Sequence, residues 1–247
     1  MASEHSGEPT GAALSSAALS GIRRLSAVDT VRARISLAVD LGLLEPGEWL
    51  PGNAPIAAAL DVSEITVRRA LVALCHDGVL ERRRGRGGGT RVVAEPARSA
   101  VRETDAYRAA AEEVHRLIDR RLVLECGIAH LAARAAGEQP LAELERLTAL
   151  MDRAADWAEF HRLDEEFHRA VAAATGIDTG DYDLVLRDLY RYYLPYPVDY
   201  LRGSNREHHE LVAALRTRDA ATAADVAHRH VTTLHGAMFV GLEAPPG

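Results

Sequence analysis

Residues 61–71 read Asp61-Val62-Ser63-Glu64-Ile65-Thr66-Val67-Arg68-Arg69-Ala70-Leu71, a tight turn running into a short amphipathic helix. Ser63 suits the N-cap, because its hydroxyl can take one of the orphan amides of the first turn. Val67, Leu71 and Leu74 form the inner face of a helix that extends to about His76. Ile65, Thr66, Arg68 and Arg69 project from the other side, with Ser63 and Glu64 at its start. Gly78 supplies a left-handed stop. Two short strands, 79–82 and 90–93, follow and are joined by Arg83-Arg84-Gly85-Arg86-Gly87-Gly88-Gly89, a cationic loop. A helix entered through a tight turn and followed by an arginine- and glycine-rich hairpin is the pattern of a winged helix-turn-helix, which places one helix in a DNA groove. The candidate DNA-contacting residues are therefore Ser63, Glu64, Ile65, Thr66, Arg68 and Arg69 on the helix and Arg84, Arg86 and Gly87 in the wing.

Upstream, a first helix is expected over 30–41, with Val31, Ile35, Val39 and Ala38 on its packed side and Gly42 closing it. Turn chemistry fills 44–51, and Asn53 is expected to cap a short second helix through Leu60, with Pro55 tolerated in its first turn. Downstream, periodicity lapses around Pro96 and a long helical pattern begins near Thr104. Breaks at 137–140, 175–180 and 202–205 divide the remainder into about six or seven helices. The expected fold is mainly α: three helices and a β-hairpin, then an all-α antiparallel bundle. The expected organisation is a flexible tail over 1–25, a reading head over 26–94, a linker over 95–102, a helical effector-binding and dimerisation domain over 103–238, and a tail over 239–247.

At 247 residues and 47% hydrophobic content the chain can bury two modest cores, and it has no apolar run of transmembrane length. A soluble, cytoplasmic protein without membrane contact is expected. Cys75 and Cys126 lie far apart in helical-looking apolar stretches, which suits buried, reduced thiols. The formal charge of −7 argues against indiscriminate coating of nucleic acid. That average hides a local patch, since Arg82, Arg83, Arg84, Arg86 and Arg91 fall within ten residues that contain no acid.

In the helical half, Asp164 and His168 are one turn apart on one helix face, with Leu163, Phe167 and Val171 around them. Alone, such a pair fits a surface hydrogen bond better than a metal. Six of the seven tyrosines fall between Tyr182 and Tyr200. They suit helix packing or dimer contacts, and equally a cavity wall on which Tyr190, Tyr193 or Tyr196 meets an effector. The residues do not separate these two readings.

The stretch 44–93 resembles the GntR family of bacterial transcriptional regulators. The resemblance is carried by Pro46-Gly47, Leu50-Pro51, Val62-Ser63, Thr66-Val67-Arg68, Ala70-Leu71, Gly78, Leu80, Arg86-Gly87 and Thr90. The second half is similar to the FCD effector domain of the FadR subfamily through Arg121, Glu125, Asp164-Glu165-Glu166-Phe167-His168, His208 and His230. That resemblance implies a metal held by Asp164, His168, His208 and His230, with His209 and His228 as substitutes if the register is off by one. It also implies a small carboxylate effector that completes the metal's coordination and is gripped by Arg121, beside Glu125. Three imidazoles and one carboxylate suit zinc, or else nickel or manganese. Two positions depart from the family: Gly52-Asn53-Ala54 stands where Ser-Glu-Arg is usual, and Glu64 stands where an arginine is usual. Both lose a DNA-contacting arginine, which implies a different operator or a greater share of binding carried by the wing.

The expected function is a homodimeric regulator, a repressor, that binds a palindromic double-stranded DNA operator and responds to a carboxylate near the metal. It is not expected to be an enzyme. The competing readings are a metal-dependent hydrolase fused to a DNA-binding head, with Glu165 or Glu166 as the nearest candidate bases, and a regulator whose metal is purely structural.

Overall fold

The fold is read from a computed structural model that describes residues 26–85, 88–97 and 111–238. The wing residues Arg86 and Gly87, most of the proposed linker, residues 103–110 of the expected effector domain and both expected tails lie outside the described residues.

Helix α1 spans Ala27–Asp40 and begins three residues earlier than its periodicity suggests. The reason is local: Ser26 accepts from the Asp29 amide at 3.2 Å, and its hydroxyl donates back to the Asp29 carboxylate at 2.7 Å. Helix α2, Asn53–Ala59, is capped by Gly52, and Asn53 is its first helical residue with no side-chain cap bond. Asp61 then turns with φ of 50°, a left-handed conformation that aspartate tolerates. Helix α3, Glu64–His76, starts at Ser63, whose hydroxyl accepts from the Thr66 amide at 3.2 Å. Val67, Ala70, Leu71 and Leu74 are its buried positions, and Gly78 follows with φ of 73°.

Strands β1, Leu80–Arg83, and β2, Gly89–Val92, pair antiparallel from Leu80↔Val92 to Arg83↔Gly89. Each strand thus sits one residue closer to the loop than expected. The Gly88 amide donating to the Gly85 carbonyl at 2.9 Å tightens the loop end, and the Trp49 ring packs against Gly89, which has no Cβ to obstruct it. Residues 47–50 bond to the other edge of β2, with Leu50 N donating to Thr90 O at 2.9 Å. Glu81 and Arg91 form a cross-strand ion pair, and the Arg91 guanidinium lies 5.6 Å from the Trp49 ring centroid.

Six further helices are described: α4 Ala111–Ala135, α5 Glu138–Met151, α6 Trp157–Ala173, α7 Gly180–Tyr190, α8 Val198–Arg216 and α9 Ala220–Ala237. The fold is mainly helical, with one small hairpin among the described residues. Helices α4 and α9 share the most extensive contact, and α6 packs between α5, α4 and the reading head's α2. Residues 202–205, expected to interrupt the helical pattern, lie inside α8. Asn205 explains this, because its buried amide donates to Thr148 O at 2.9 Å and Asp152 Oδ1 at 2.7 Å. A turn-forming residue is thereby fixed within a helix by tertiary hydrogen bonds. Cys75 and Cys126 are free and only partly buried. No helix among the described residues is long and apolar enough to cross a membrane.

Candidate functional site

Helix α6 supplies the centre of the polar cluster. Asp156 caps it by accepting from the Ala158 and Glu159 amides, both at 2.9 Å. The register then places Trp157, Phe160, His161, Asp164, Phe167 and His168 on the buried face. Helix α8 brings His208 by the same arithmetic, in the buried series Leu201, Asn205, His208, Leu211, Val212. Helix α9 brings His230, next to buried Val226, Ala227 and Val231.

One ligand nitrogen from each of His168, His208 and His230 falls within a 4.8 Å group. Asp164 Oδ1 lies 3.5 Å from His208 Nε2 and 3.7 Å from His168 Nε2. The surrounding hydrogen bonds dictate which ring nitrogens carry protons. The Asn205 amide nitrogen is committed to two oxygens, so its Oδ1 faces His208 Nδ1 at 3.1 Å and requires a proton there. Glu207 Oε2 faces His230 Nδ1 at 2.9 Å, and Glu125 Oε1 faces His168 Nδ1 at 3.3 Å. Carboxylates accept only, so these contacts favour hydrogen on each Nδ1; the Nε2 atoms of His208 and His230 turn inward, whereas the Nε2 of His168 accepts from Arg121 Nη2 at 2.9 Å. His208 and His230 Nε2 atoms meet at 3.3 Å, a separation that a proton on one ring or a cation shared by both satisfies.

Charge around the cluster is consistent with this. Burial alone favours the neutral acid at Asp164, but the His168 and His208 rings, the Tyr190 hydrogen bond and Arg121 outweigh it and pull the carboxyl down to about 2. Burial depresses His208 well below the ordinary histidine range, reinforced by His230, and lowers His168 as well. Three imidazoles and one carboxylate form a donor set that divalent transition metals accept.

Arg121 is fully buried behind this centre. Its Nε donates to Glu125 Oε2 at 2.6 Å, its Nη1 to the Tyr193 hydroxyl at 2.8 Å and its Nη2 to His168 Nε2 at 2.9 Å. Glu125 also accepts from the Tyr182 hydroxyl at 2.6 Å, and Arg121 with His168 holds its carboxyl well below the usual range despite burial. Glu125 therefore faces Arg121, and the edge of the guanidinium directed at the cluster is the Nη1–Nη2 edge. The Tyr190 hydroxyl donates to Asp164 Oδ2 at 2.5 Å.

A cavity of about 80 Å³ opens beside Asp164 and His230. Phe160, Leu201, Leu234 and Met238 give it apolar wall, and His161, Tyr193 and Tyr196 give it polar wall. The Tyr196 hydroxyl is engaged with the Ala237 carbonyl at 2.6 Å.

On the reading head, Ile65 is 56% exposed, and Glu64, Arg68 and Arg69 are exposed beside it. The Thr66 hydroxyl lies 2.9 Å from the Ser63 hydroxyl at the start of the same helix. Arg82, Arg83 and Arg84 are exposed along β1 and its loop, whereas Arg91 is held by Glu81 and Trp49.

Residues 27–92 match the bacterial regulatory proteins of the gntR family, and residues 113–233 match the FCD domain. The chain belongs to the GntR family. It is 32% identical over 151 residues to a Mycobacterium gastri protein named as the HTH-type transcriptional regulator RmpR, covering 59% of this chain and 54% of that one. It is 30% identical over 139 residues to the Uxu operon transcriptional regulator of Escherichia coli, covering 53% of this chain and 51% of that one. The chain thus spans about half the length of these curated relatives. Among solved structures, Streptococcus agalactiae GntR aligns with a TM-score of 0.42 and 25% identity over 84% of this chain and 98% of that chain. The matched families and these relatives are regulators rather than enzymes.

Within this GntR-family chain, several predicted residues stand elsewhere than the cluster. His209 bonds Asp152 Oδ2 at 2.9 Å on the exposed side of α8, and His228 is exposed. Glu165 and Glu166 pair with Arg169 and Arg162 across the outer side of α6. Glu64 occupies the first turn of α3, where a negative charge suits the helix dipole. Sequence reasoning missed His161, Tyr182, Asn205 and Glu207. His161 precedes Asp164 by three residues and so shares its helix face, a spacing that could have flagged it.

Proposed function

We propose that the chain is a metabolite-responsive transcriptional regulator that binds a palindromic operator as a homodimer in the cytoplasm. It acts as a repressor released by a small carboxylate. The organisation that goes with this reading is a reading head over 26–94 and an effector domain over 103–238, joined by a linker over 95–102 and flanked by tails over 1–25 and 239–247. Ser63, Glu64, Ile65, Thr66, Arg68 and Arg69 meet the groove, while Arg84, Arg86 and Gly87 follow the backbone.

One observation carries the responsive part of this reading. Tyr193 touches both halves: its hydroxyl accepts a hydrogen bond from Arg121 in the polar cluster, and its main-chain carbonyl accepts one from Arg34 on α1. A ligand that moves Tyr193 therefore moves the reading head.

Asp164, His168, His208 and His230 would hold a divalent ion, with zinc the best match and nickel or manganese also suited. Bound there, the ion supplies a positive centre that a carboxylate can complete. Arg121 orients that carboxylate by exchanging its present Tyr193 and His168 contacts for it, with Glu125 fixing the guanidinium and Tyr190, Tyr193 and Tyr196 shaping the approach. An effector that favours the DNA-incompetent arrangement by about 1–3 kcal/mol shifts operator affinity about 5- to 150-fold.

The test is sequencing of genomic fragments retained by the purified protein at near-physiological salt, with and without added zinc. Recovery of a two-fold symmetric sequence is expected. The absence of any enriched sequence under both conditions would sink the regulator reading.

A further inference from the structure

His115 on α4 and His235 on α9 meet where the start of one helix packs against the end of the other. Their Nδ1 atoms are 2.7 Å apart, and the rings stack with centroids 5.0 Å apart and planes at 17°. Asp119 stands one turn after His115 on the same side of α4, and its Oδ1 lies 3.1 Å from His235 Nε2. A carboxylate only accepts, so the neutral His235 ring carries its hydrogen on Nε2 and turns its Nδ1 lone pair on His115. A carboxylate behind one nitrogen of a ring, with the other nitrogen facing inward, is the order that fixes a metal-ligating histidine. Both rings are half-buried and the Asp119 side chain is 66% exposed, so water reaches the group. His235 also lies in the last turn of α9, whose carbonyl end is negative and favours a cation.

We propose that His115 and His235 ligate a second divalent transition-metal ion through their Nδ1 atoms, with Asp119 orienting His235 and water completing the coordination. The site does not rest on the reading of the Asp164–His168–His208–His230 cluster. His230 and His235 are five positions apart on α9, a rotation of about 140°, so they leave the helix on different sides. Without an ion, His115 Nδ1 donates to His235 Nδ1; binding moves that hydrogen to His115 Nε2 and leaves two Nδ1 lone pairs facing one point. Two nitrogens on a tetrahedral ion, each about 2.0–2.1 Å from it, are roughly 3.3 Å apart, so the rings must part by about 0.6 Å. Half-buried side chains supply that by rotation, with the backbone in place. Imidazole and water suit zinc, nickel or copper(II), whereas calcium and magnesium need oxygen ligands that the pair does not offer. An ion held here ties the start of α4 to the end of α9, the first and last described helices of the effector domain.

The experiment titrates zinc into untagged, metal-stripped protein in a His208→Ala/His230→Ala background, which lacks two ligands of the other cluster. One zinc per chain is still expected to bind. Adding His235→Ala or His115→Gln abolishes it, and the glutamine amide keeps a hydrogen bond to His235, so an unchanged circular dichroism spectrum shows that the fold is intact. Asp119→Ala weakens zinc binding by about 10- to 100-fold, and Asp119→Asn, which keeps an acceptor for His235 Nε2, weakens it less. Copper(II) in the same background gives an electron paramagnetic resonance spectrum with nitrogen hyperfine splitting that His115→Gln removes. If the background variant does not fold, a fall from two zinc ions to one between the parent and His115→Gln answers the same question. A parent that binds a single ion, lost in His115→Gln, sinks the other cluster and upholds this site. No zinc bound by the folded background variant, or zinc bound undiminished in both His115→Gln and His235→Ala, overturns the proposal.

Discussion

Arg34 on α1 donates through Nε to the main-chain carbonyl of Tyr193 at 2.5 Å, across 159 residues of sequence. The arginine is 3% exposed and stands in a largely buried helix, which packs on α3 and reaches Tyr193 through Arg34 itself. Tyr193 follows α7 and presents its hydroxyl to Arg121. The pair is thus a polar fastener between α1 and the cavity wall.

Arg34→Ala leaves that carbonyl buried without its donor, a loss of about 1–3 kcal/mol. We expect a lower denaturation midpoint and a reading head that melts separately from the effector domain in calorimetry. Operator affinity should also become insensitive to added carboxylate. A single unfolding transition at the parent's midpoint would show that the fastener carries nothing.

DNA affinity should distinguish exposed from occupied arginines. Arg68→Ala is expected to weaken operator binding by about 1–3 kcal/mol, roughly 5- to 150-fold in Kd. Arg91→Ala should leave it little changed, because Glu81 and the Trp49 ring already hold that guanidinium. Fluorescence anisotropy on a labelled operator checks both, and equal losses in the two variants would move the contact surface to the far edge of the hairpin.

Metal binding should depend on the ligands and on what orients them. His208→Ala and His230→Ala are each expected to lose the ion, read as metal content by mass spectrometry. Asn205→Ala removes the acceptor that fixes the His208 ring and is expected to weaken metal affinity by about 10- to 100-fold in a chelator competition. Full occupancy in both histidine variants would place the ion elsewhere.

Stability should fall in acid partly through His161. Burial, reinforced by the nearby Arg34 charge and opposed by Asp164, pushes this imidazole down to about 4. The unfolded chain takes up that proton near the ordinary histidine value, about 6.5, and the native protein does not. Native stability attributable to this ring is therefore intact above that value and lost progressively as pH falls from about 6.5 towards 4, amounting to about 2 kcal/mol by pH 5. In metal-free protein, His161→Phe should flatten the midpoint-versus-pH curve over this window relative to the parent. Parallel curves would mean that water already solvates the ring.

Local signals made the reading head legible. Ser63 as cap, the Val67–Leu71–Leu74 stripe, Gly78 and the arginine- and glycine-rich hairpin all act within a few residues, so their consequences can be read in order along the chain. The Asp164/His168 spacing likewise follows from one helix's geometry. Strand bounds shifted by one residue because pairing reaches Arg83↔Gly89 and Trp49 packs on Gly89, neither of which is a local property.

By itself, then, the sequence determined which segments coil, where the reading helix begins and which side chains could meet DNA or a metal, since these follow from backbone propensity and helix periodicity. Only the tertiary structure decided that Arg34 is buried against Tyr193, that Asn205 and Glu207 turn two imidazoles inward, and that His161 faces a cavity without a hydrogen-bond partner among the described residues. Burial and hydrogen-bond partnership belong to pairs of helices that meet in space. No single helix's periodicity specifies what will lie opposite its apolar face.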